Sequence, residues 1–379
     1  MNSSDSIELI GTPNVDNEQL LTSGLFSTSV LEGDGGDVFV ETGRLIIRDG
    51  AQIAAAAERR STGAGGNITV TASDLVELSG TRPNGIPGGL YTFASRESSG
   101  DAGNLTVNTG RFIVRDGASV ASSTDSTGNA GDLEINASES MEVINAEVRA
   151  TTTLNANDAG DAGNFLINTN QLIVRDDGLV SASTSGSGDA GTLDINTNRL
   201  VVRDGARVSA DTSSTGEAGK LTVNATEFVQ VIGTSADGQM SSSLFLDSTG
   251  SGNAGGLEIN TGTLIVEEGG QVSANTSNQG QAGNLMVNAD SVRVIGTSAN
   301  GESSSLLFDT SGEGNAGDLT ITTGQLLVRD GGLVSAKTTD QGQAGTLEVN
   351  ADSVQVIGTS ANGENSSSLL FDSSGSGNA

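Results

Sequence analysis

The side chains that most often carry out chemistry in proteins are almost absent from this chain, apart from carboxylates. Its 379 residues include no histidine, no cysteine and no tryptophan. Without histidine or cysteine, nucleophile–base pairs of the Ser-His or Cys-His kind cannot form, and neither disulfide nor thiolate chemistry is available. Aspartate and glutamate number 47 against 17 lysines and arginines, so the net charge is −30. We therefore expect no enzymatic activity and no cofactor.

The negative charge bears on which partners the chain can have. Nucleic acid is an unfavourable partner, because phosphate binding needs a basic surface, and an anionic membrane surface is unfavourable for the same reason. We also expect no membrane insertion, because no apolar run is long enough to cross a bilayer. The charge can simply keep a long exposed surface soluble, or rows of carboxylates can bridge surface Ca²⁺ ions. The sequence leaves both interpretations open.

Arg-Asp-Gly triplets are the most prominent charged motif. Integrin-type recognition uses a different order, Arg-Gly-Asp. In one repeat the equivalent residues are Glu267, Glu268 and Gly269, so the glycine is kept while the charge changes. We interpret the triplets as corners, with arginine on the outer face and a glycine that tolerates positive φ. They begin at Arg48, Arg115, Arg203 and Arg329, with Arg175 followed by two aspartates as a variant.

The triplets belong to a repeat that opens with a glycine-rich turn, G-x-[AG]-G-x-[apolar]. Short repeats have 28 or 30 residues and long ones have 32 to 37. Repeats of this length must be interpreted before any other feature, because each is one structural unit stacked on the next. The fourth residues of the eleven turns are Gly36, Gly66, Gly103, Gly131, Gly163, Gly191, Gly219, Gly255, Gly283, Gly317 and Gly345.

Each repeat contains three segments whose hydrophobic pattern is typical of β-strands. In residues 292–294 and 354–356, a polar residue separates two valines, which is the period of two found in half-buried strands. We expect Val202, Val208 and Ala210 to point into the core and Arg203 to point outward. A β-branched residue also stands 17 positions after the turn glycine in six repeats: Ile53, Val120, Val180, Val208, Val272 and Val334.

These features predict an all-β fold, a right-handed parallel β-helix (solenoid) of about eleven three-strand coils of 28–37 residues. Strand–crossover–strand connections favour the right-handed form. A β-propeller is the alternative, but its blades need about 40 residues and four strands. We expect residues 1–35 to be a partial coil that continues from a missing N-terminal part. Residues 36–379 are then one repeat domain, truncated at its C-terminal end, and uncapped strand edges predict end-to-end self-association.

The repeats GNAGDLTITTGQLLVRDGGLVSA (314–336) and NLMVNADSVRVIGTSANG (284–301) resemble those of filamentous-haemagglutinin-type exoproteins. The likeness is strongest to the large two-partner-secretion proteins of cyanobacteria and extends over nearly the whole chain. It implies a β-helical stalk at the outer cell surface or outside the cell, exported through an outer-membrane transporter. The family's secretion module contains an N-P-N-G-I motif, which residues 82–86 (RPNGI) resemble superficially. We interpret that segment as a turn.

Inserts in three long repeats are the candidate binding loops. They comprise residues 233–243, 296–305 and 358–368, and one short repeat separates each from the next. We expect the three to form a row with a spacing of roughly 10 Å, twice the separation of paired strands. Such a row suits adhesion to a cell-surface glycan or protein. The alternative is a carbohydrate-active β-helix, such as a polysaccharide lyase or tailspike. The candidate residues are Asp237, Gly238, Asn300, Gly301, Glu302, Asn362, Gly363 and Glu364.

Overall fold

The computed structural model describes residues 1–11, 23–58, 60–153, 158–339, 342–343 and 345–373. Every regular element among them is a β-strand, and the strands run parallel and stack as a β-solenoid of about eleven turns. The predicted fold class is therefore confirmed. Two compact units are present. Unit 1 comprises Met1–Ile173 and Gly178–Gly191, and unit 2 comprises Val174–Asp177 and Thr192–Ala379.

Unit 1 contains two parallel sheets, and each solenoid turn contributes one strand to each. The sheet of longer strands contains β1 (Ser6–Ile10), β3 (Val38–Arg48), β5 (Ile68–Ser79), β7 (Leu105–Arg115), β9 (Leu133–Ile144) and β11 (Phe165–Thr169), in that order. The second sheet contains β2 (Gly24–Ser29), β4 (Gln52–Ala57), β6 (Gly89–Ala94), β8 (Ser119–Thr124), β10 (Glu147–Thr152) and β13 (Leu179–Ser181). Strand β12 (Gln171–Arg175) follows β11.

Unit 2 repeats this arrangement. Its longer strands are β14 (Leu193–Arg203), β16 (Leu221–Ile232), β18 (Leu257–Glu267), β20 (Leu285–Ile295), β22 (Leu319–Arg329) and β24 (Leu347–Ile357). Its second sheet contains β15 (Arg207–Ser209), β17 (Ser243–Phe245), β19 (Gln271–Ser273), β21 (Ser305–Leu307), β23 (Leu333–Thr338) and β25 (Ser368–Ser373).

The three strand segments expected in each turn are organised as two strands in most turns. The first and second segments join in one strand of 11 or 12 residues, and only β11 and β12 remain separate. The join carries a register shift where a longer strand meets a shorter one, as between Ala225 and Phe228 in β16. A bulge of this kind absorbs the extra residue of the longer strand. Strands of equal length pair through the join in one register.

The core lies between the two sheets, and the period-two pattern determines which residues enter it. Val202, Val208 and Ala210 have no exposed surface, whereas the Arg203 side chain is 43% exposed and pairs with Asp204. The predicted inward and outward residues are therefore confirmed. The six β-branched residues found 17 positions after the turn glycine are all fully buried.

The corners after the longer strands have the conformation that the Arg-Asp-Gly triplets predict. Asp204 and Gly205 have φ values of 57° and 79°, so both residues are left-handed. Glu268 and Gly269 adopt the same conformation, with φ values of 55° and 87°. Aspartate and glycine tolerate this region better than most residues. The structural interpretation of the triplets is confirmed, because each arginine lies on the outer face and the next two residues form the corner.

The glycine-rich turns pack backbone against backbone. A Cβ atom on Gly131 would lie 2.1 Å from the carbonyl oxygen of Gly103, and one on Gly283 would lie 1.5 Å from that of Gly255. No side chain fits at such a separation. The spacing between turns therefore requires glycine at this position, which explains why the motif recurs down the chain.

Substitution at Val208 and Arg203 tests the assignment of inner and outer faces. Val208→Asp places an unpaired charge in the core and should lower the free energy of unfolding by roughly 3 kcal/mol or more. Arg203→Ser removes only an exposed ion pair and should have almost no effect. Thermal melts followed by circular dichroism measure both changes. Equally mild effects would show that Val208 does not lie in a packed interior.

Candidate functional site

Many acidic side chains at the glycine-rich turns bind the backbone of the next turn. In unit 1, an Asp101 carboxylate oxygen accepts a hydrogen bond from the Asn129 amide at 2.7 Å, and Asn129 accepts one from the Asp161 amide at 2.9 Å. Asp161 accepts in turn from the Asp189 amide at 2.9 Å. Asparagine between aspartates also dilutes the repulsion between stacked charges. Part of the acidic charge therefore has a structural role.

Asparagines form a second ladder on the longer sheet of unit 2. The side-chain amides of Asn224, Asn260 and Asn288 each donate to the amide oxygen of the asparagine in the preceding turn, at 2.9–3.0 Å. Among the residues that the structure describes, no group of three or more acidic side chains could hold a metal ion. The described part of the chain also has no helix long and apolar enough to cross a membrane.

The inserts are ordered hairpins. An antiparallel bridge closes each one, joining Thr234 to Ser241 in the first insert, Thr297 to Ser303 in the second and Thr359 to Ser366 in the third. The tips contain the predicted glycines Gly238, Gly301 and Gly363, with φ values of 72°, 90° and 74°. Residues 82–86 form an equivalent tip, since Thr81 bridges Pro87 and Gly85 has a φ of 82°. The interpretation of RPNGI as a turn agrees with this geometry.

A buried serine organises each insert from within. The Ser235 hydroxyl accepts a hydrogen bond from the Met240 amide at 3.0 Å and donates one to Asp237 at 2.5 Å. The Asp237 carboxylate also accepts the Gln239 amide. The hydrogen bond from Ser235, followed by that from Gln239, lowers the pKa of Asp237. The equivalent serines, Ser298 and Ser360, accept from Glu302 and Asn365 at 3.1 and 2.9 Å.

A second serine fastens each insert to the corner of the preceding short turn. The hydroxyls of Ser242, Ser304 and Ser367 accept the amide hydrogens of the corner glycines, each at 3.0 Å. The corner residue also has to be glycine, because a Cβ atom on Gly269 would lie 2.6 Å from the Ser298 Cβ. The sequence shows the repeated serines ahead of β17 and β21. It does not show that they accept a hydrogen bond from the corner glycine of the preceding turn.

Neighbouring inserts contact each other directly, although one short turn lies between them along the stack. The Asn300 side-chain amide donates to the Gly238 carbonyl at 3.2 Å. In the same way, the Asn365 side-chain amide donates to the Gly301 carbonyl at 2.7 Å. Each insert therefore spans the intervening short turn. The three form a continuous surface rather than three separate loops.

An open groove of about 510 Å³ lies between the first and second inserts. Its floor is the outer face of the second sheet, where Arg207, Ser243 and Gln271 lie side by side on β15, β17 and β19. Phe245, Asp247 and Ser273 continue the floor, Gln239, Met240 and Ser241 form the wall from the first insert, and Asn300 and Glu302 form the wall from the second. A groove of this volume is within the range of small-ligand sites.

Asp247 lines the groove and has a shifted pKa. Burial raises the pKa of its carboxyl group, and the hydrogen bonds that it accepts from the Asn275 amide at 2.8 Å and the Ser273 hydroxyl at 3.0 Å oppose that shift. The charge on Asp211 raises the pKa further. Asp247 therefore acts mainly as a backbone acceptor, like the aspartates at the glycine-rich turns.

The structure brings three of the eight predicted residues to the groove: Gly238, Asn300 and Glu302. Asp237 lines a smaller hollow of about 190 Å³ on the other side of the first insert. Gly301, Asn362, Gly363 and Glu364 belong to the second and third inserts away from the groove. Asn362 donates to Glu364 within its own insert at 2.8 Å.

Sequence reasoning missed the floor of the groove. Arg207 and Gln271 stand 16 positions after Gly191 and Gly255. That shared position is the only feature of the sequence that could have predicted their proximity. It is a weak indicator, because the residue before the buried valine varies from turn to turn.

Comparisons with protein-family models, with curated proteins and with solved structures find no match for this chain. The resemblance to filamentous haemagglutinins therefore stays a prediction, and the groove has to be interpreted from its own chemistry.

Ser304 tests the attachment of an insert to the corner below it. Ser304→Ala leaves the buried amide of Gly269 without an acceptor and should lower the free energy of unfolding by about 1–3 kcal/mol. Ser303→Ala is the matched control, because that neighbouring side chain is half-exposed and makes no hydrogen bond to another described residue. Urea denaturation compares the two variants. Equal stability would mean that the hydroxyl does not hold the insert.

Asp247→Asn tests the half-buried carboxylate through pH. A carboxyl group whose pKa is raised on folding makes the wild type lose stability as pH rises from the unfolded to the folded pKa. Asparagine keeps the acceptor oxygen and removes the charge, as Asn275 does in the same column. Melting temperatures should therefore favour Asp247→Asn more at pH 7 than at acidic pH. Asp247→Ala should be the least stable variant at both, and a pH-independent difference between wild type and Asp247→Asn would contradict the burial effect.

Proposed function

We propose that this chain is a non-catalytic attachment and spacer region of a surface-exposed or secreted protein of the filamentous-haemagglutinin kind. In this proposal the solenoid supplies a stiff scaffold, and the inserts attach it to a glycan or protein on a cell surface. Export through an outer-membrane transporter and an extracellular location belong to the same proposal, and both rest on the resemblance alone.

The observation that carries the proposal is the contact between successive inserts. Hydrogen bonds join Asn300 to Gly238 and Asn365 to Gly301, so three similar hairpins present one continuous polar surface. Repetition of a weak contact in fixed register favours multivalent binding, because each further contact forms at high effective concentration. A catalytic site would instead need one unique constellation of reactive groups.

Shortening the inserts tests this role. In the strand register, residues 204–206 (DGA) of a short turn occupy the place of residues 233–242. Replacing 233–242, 296–304 and 358–367 each with Asp-Gly-Ala should preserve the β-type circular dichroism spectrum. Adhesion to cells should fall by roughly tenfold or more, because avidity is lost.

The matched control is the same replacement at residues 80–88, an insert in unit 1 whose strand register is equivalent. This replacement removes a hairpin of similar length and leaves the three inserts of unit 2 intact. Adhesion should then remain at the level of the intact chain. Unchanged adhesion after the triple replacement would show that the inserts do not mediate attachment.

A further inference from the structure

Arg207 differs from every other arginine that the structure describes. Each of the others forms an ion pair or, for Arg82, a side-chain hydrogen bond to the Gly50 carbonyl. Arg207 makes neither, although the chain carries a net charge of −30. Arg207 lines the floor of the groove between the first and second inserts, and also the smaller hollow beside the first insert. None of its five guanidinium donors is used by a described residue.

Further unused hydrogen-bonding groups face the same groove. The side chains of Gln239, Gln271 and Glu302 make no hydrogen bond to any described residue, and Asn300 uses only its amide nitrogen. Amides provide donors and acceptors together, which suits a ligand that presents hydroxyl groups. Met240, which is 39% exposed, and the half-buried Phe245 add an apolar patch among these polar groups.

The charges of the groove indicate which ligand it suits. Two carboxylates, Asp247 and Glu302, face one guanidinium, so the groove has no excess of positive charge to attract an anion. The acidic chain as a whole also repels polyanions. A ligand rich in hydroxyls and without charge matches the available donors and acceptors. The apolar face of a sugar ring can pack on Phe245 and Met240 while its hydroxyls contact the amides.

We propose that the groove between the first and second inserts binds a neutral oligosaccharide. Arg207 and Gln271 hold it from the floor, and Gln239 and Glu302 hold it from the walls. This inference rests on the proposed attachment function and gives the ligand class for one part of the insert surface.

The next pair of inserts has a different floor. There the positions of Arg207 and Gln271 are taken by Gln271 and Leu333, and the position of Phe245 is taken by Leu307. The second floor therefore lacks both the guanidinium and the aromatic ring. We expect one saccharide per chain at the first groove.

Isothermal titration calorimetry on the full chain tests the proposal. The probes are maltohexaose, cellohexaose, mannohexaose and galactohexaose, with hexagalacturonate as the acidic probe. At least one neutral probe should bind with a stoichiometry of one. Its affinity should change little when salt is raised from about 50 to about 500 mM, because screening acts on charged ligands.

The double variant Arg207→Leu/Gln271→Leu removes the floor contacts. Leucine already occupies this repeat position at Leu179 and Leu333, so the fold tolerates it. Affinity for the neutral probe should fall by roughly tenfold or more. Arg203→Gln is the matched control, because Arg203 lies in the same turn and pairs with Asp204 outside the groove. It should bind like the wild type.

Three results would overturn the inference: no binding of any neutral probe at millimolar concentration, equal binding by the double variant, or preference for hexagalacturonate. These results are separable from the attachment function. If no probe binds but insert shortening still lowers cell adhesion, the proposal of saccharide binding is refuted and the attachment function is supported. If a probe binds but shortening leaves adhesion unchanged, saccharide binding is supported and the attachment function is refuted.

Discussion

Parallel pairing of successive turns is the constraint on which the rest of the structure depends. Turns stack about 4.8 Å apart, so every residue lies directly over its equivalent in the turns before and after it. At the glycine-rich turn this separation leaves no room for a side chain, since a Cβ atom on Gly131 would lie 2.1 Å from the Gly103 carbonyl oxygen. Glycine there is a condition for stacking.

The same stacking governs the polar residues. A side chain that accepts a hydrogen bond from the backbone of the next turn is needed again in every turn. If that side chain is always a carboxylate, the stacked turns form a column of like charges. Aspartate and asparagine share such columns, as Asp101, Asn129 and Asp161 do, because either oxygen accepts the amide hydrogen of the next turn. Part of the negative charge is thus tied to the architecture. The groove stands out because the side chains of Arg207, Gln239, Gln271 and Glu302 make no hydrogen bond to any described residue.

The sequence predicted the parts of the structure that follow from periodicity. Period two placed Val202 and Val208 in the core and Arg203 outside, and the recurring turn predicted the parallel stack. The fusion of two strand segments was missed because the spacing of apolar residues does not show whether a turn separates them. The fused strands of equal length pair in one register through the join. The floor of the groove was missed for another reason. Arg207 and Gln271 come from turns that are not consecutive. Each looks in the sequence like an ordinary outward-facing strand residue, so nothing indicates that the two share a groove.

The bare corner required by each insert has a consequence for how such a chain can grow. Gly50, Gly205, Gly269 and Gly331 each belong to a short turn, and a hairpin from the following turn covers each one. Each of these hairpins follows a turn that has none, so hairpins and bare glycine corners alternate along the described part of the stack. Adding a short and a long turn together would extend the row of hairpins and give each new hairpin a glycine corner to pack on.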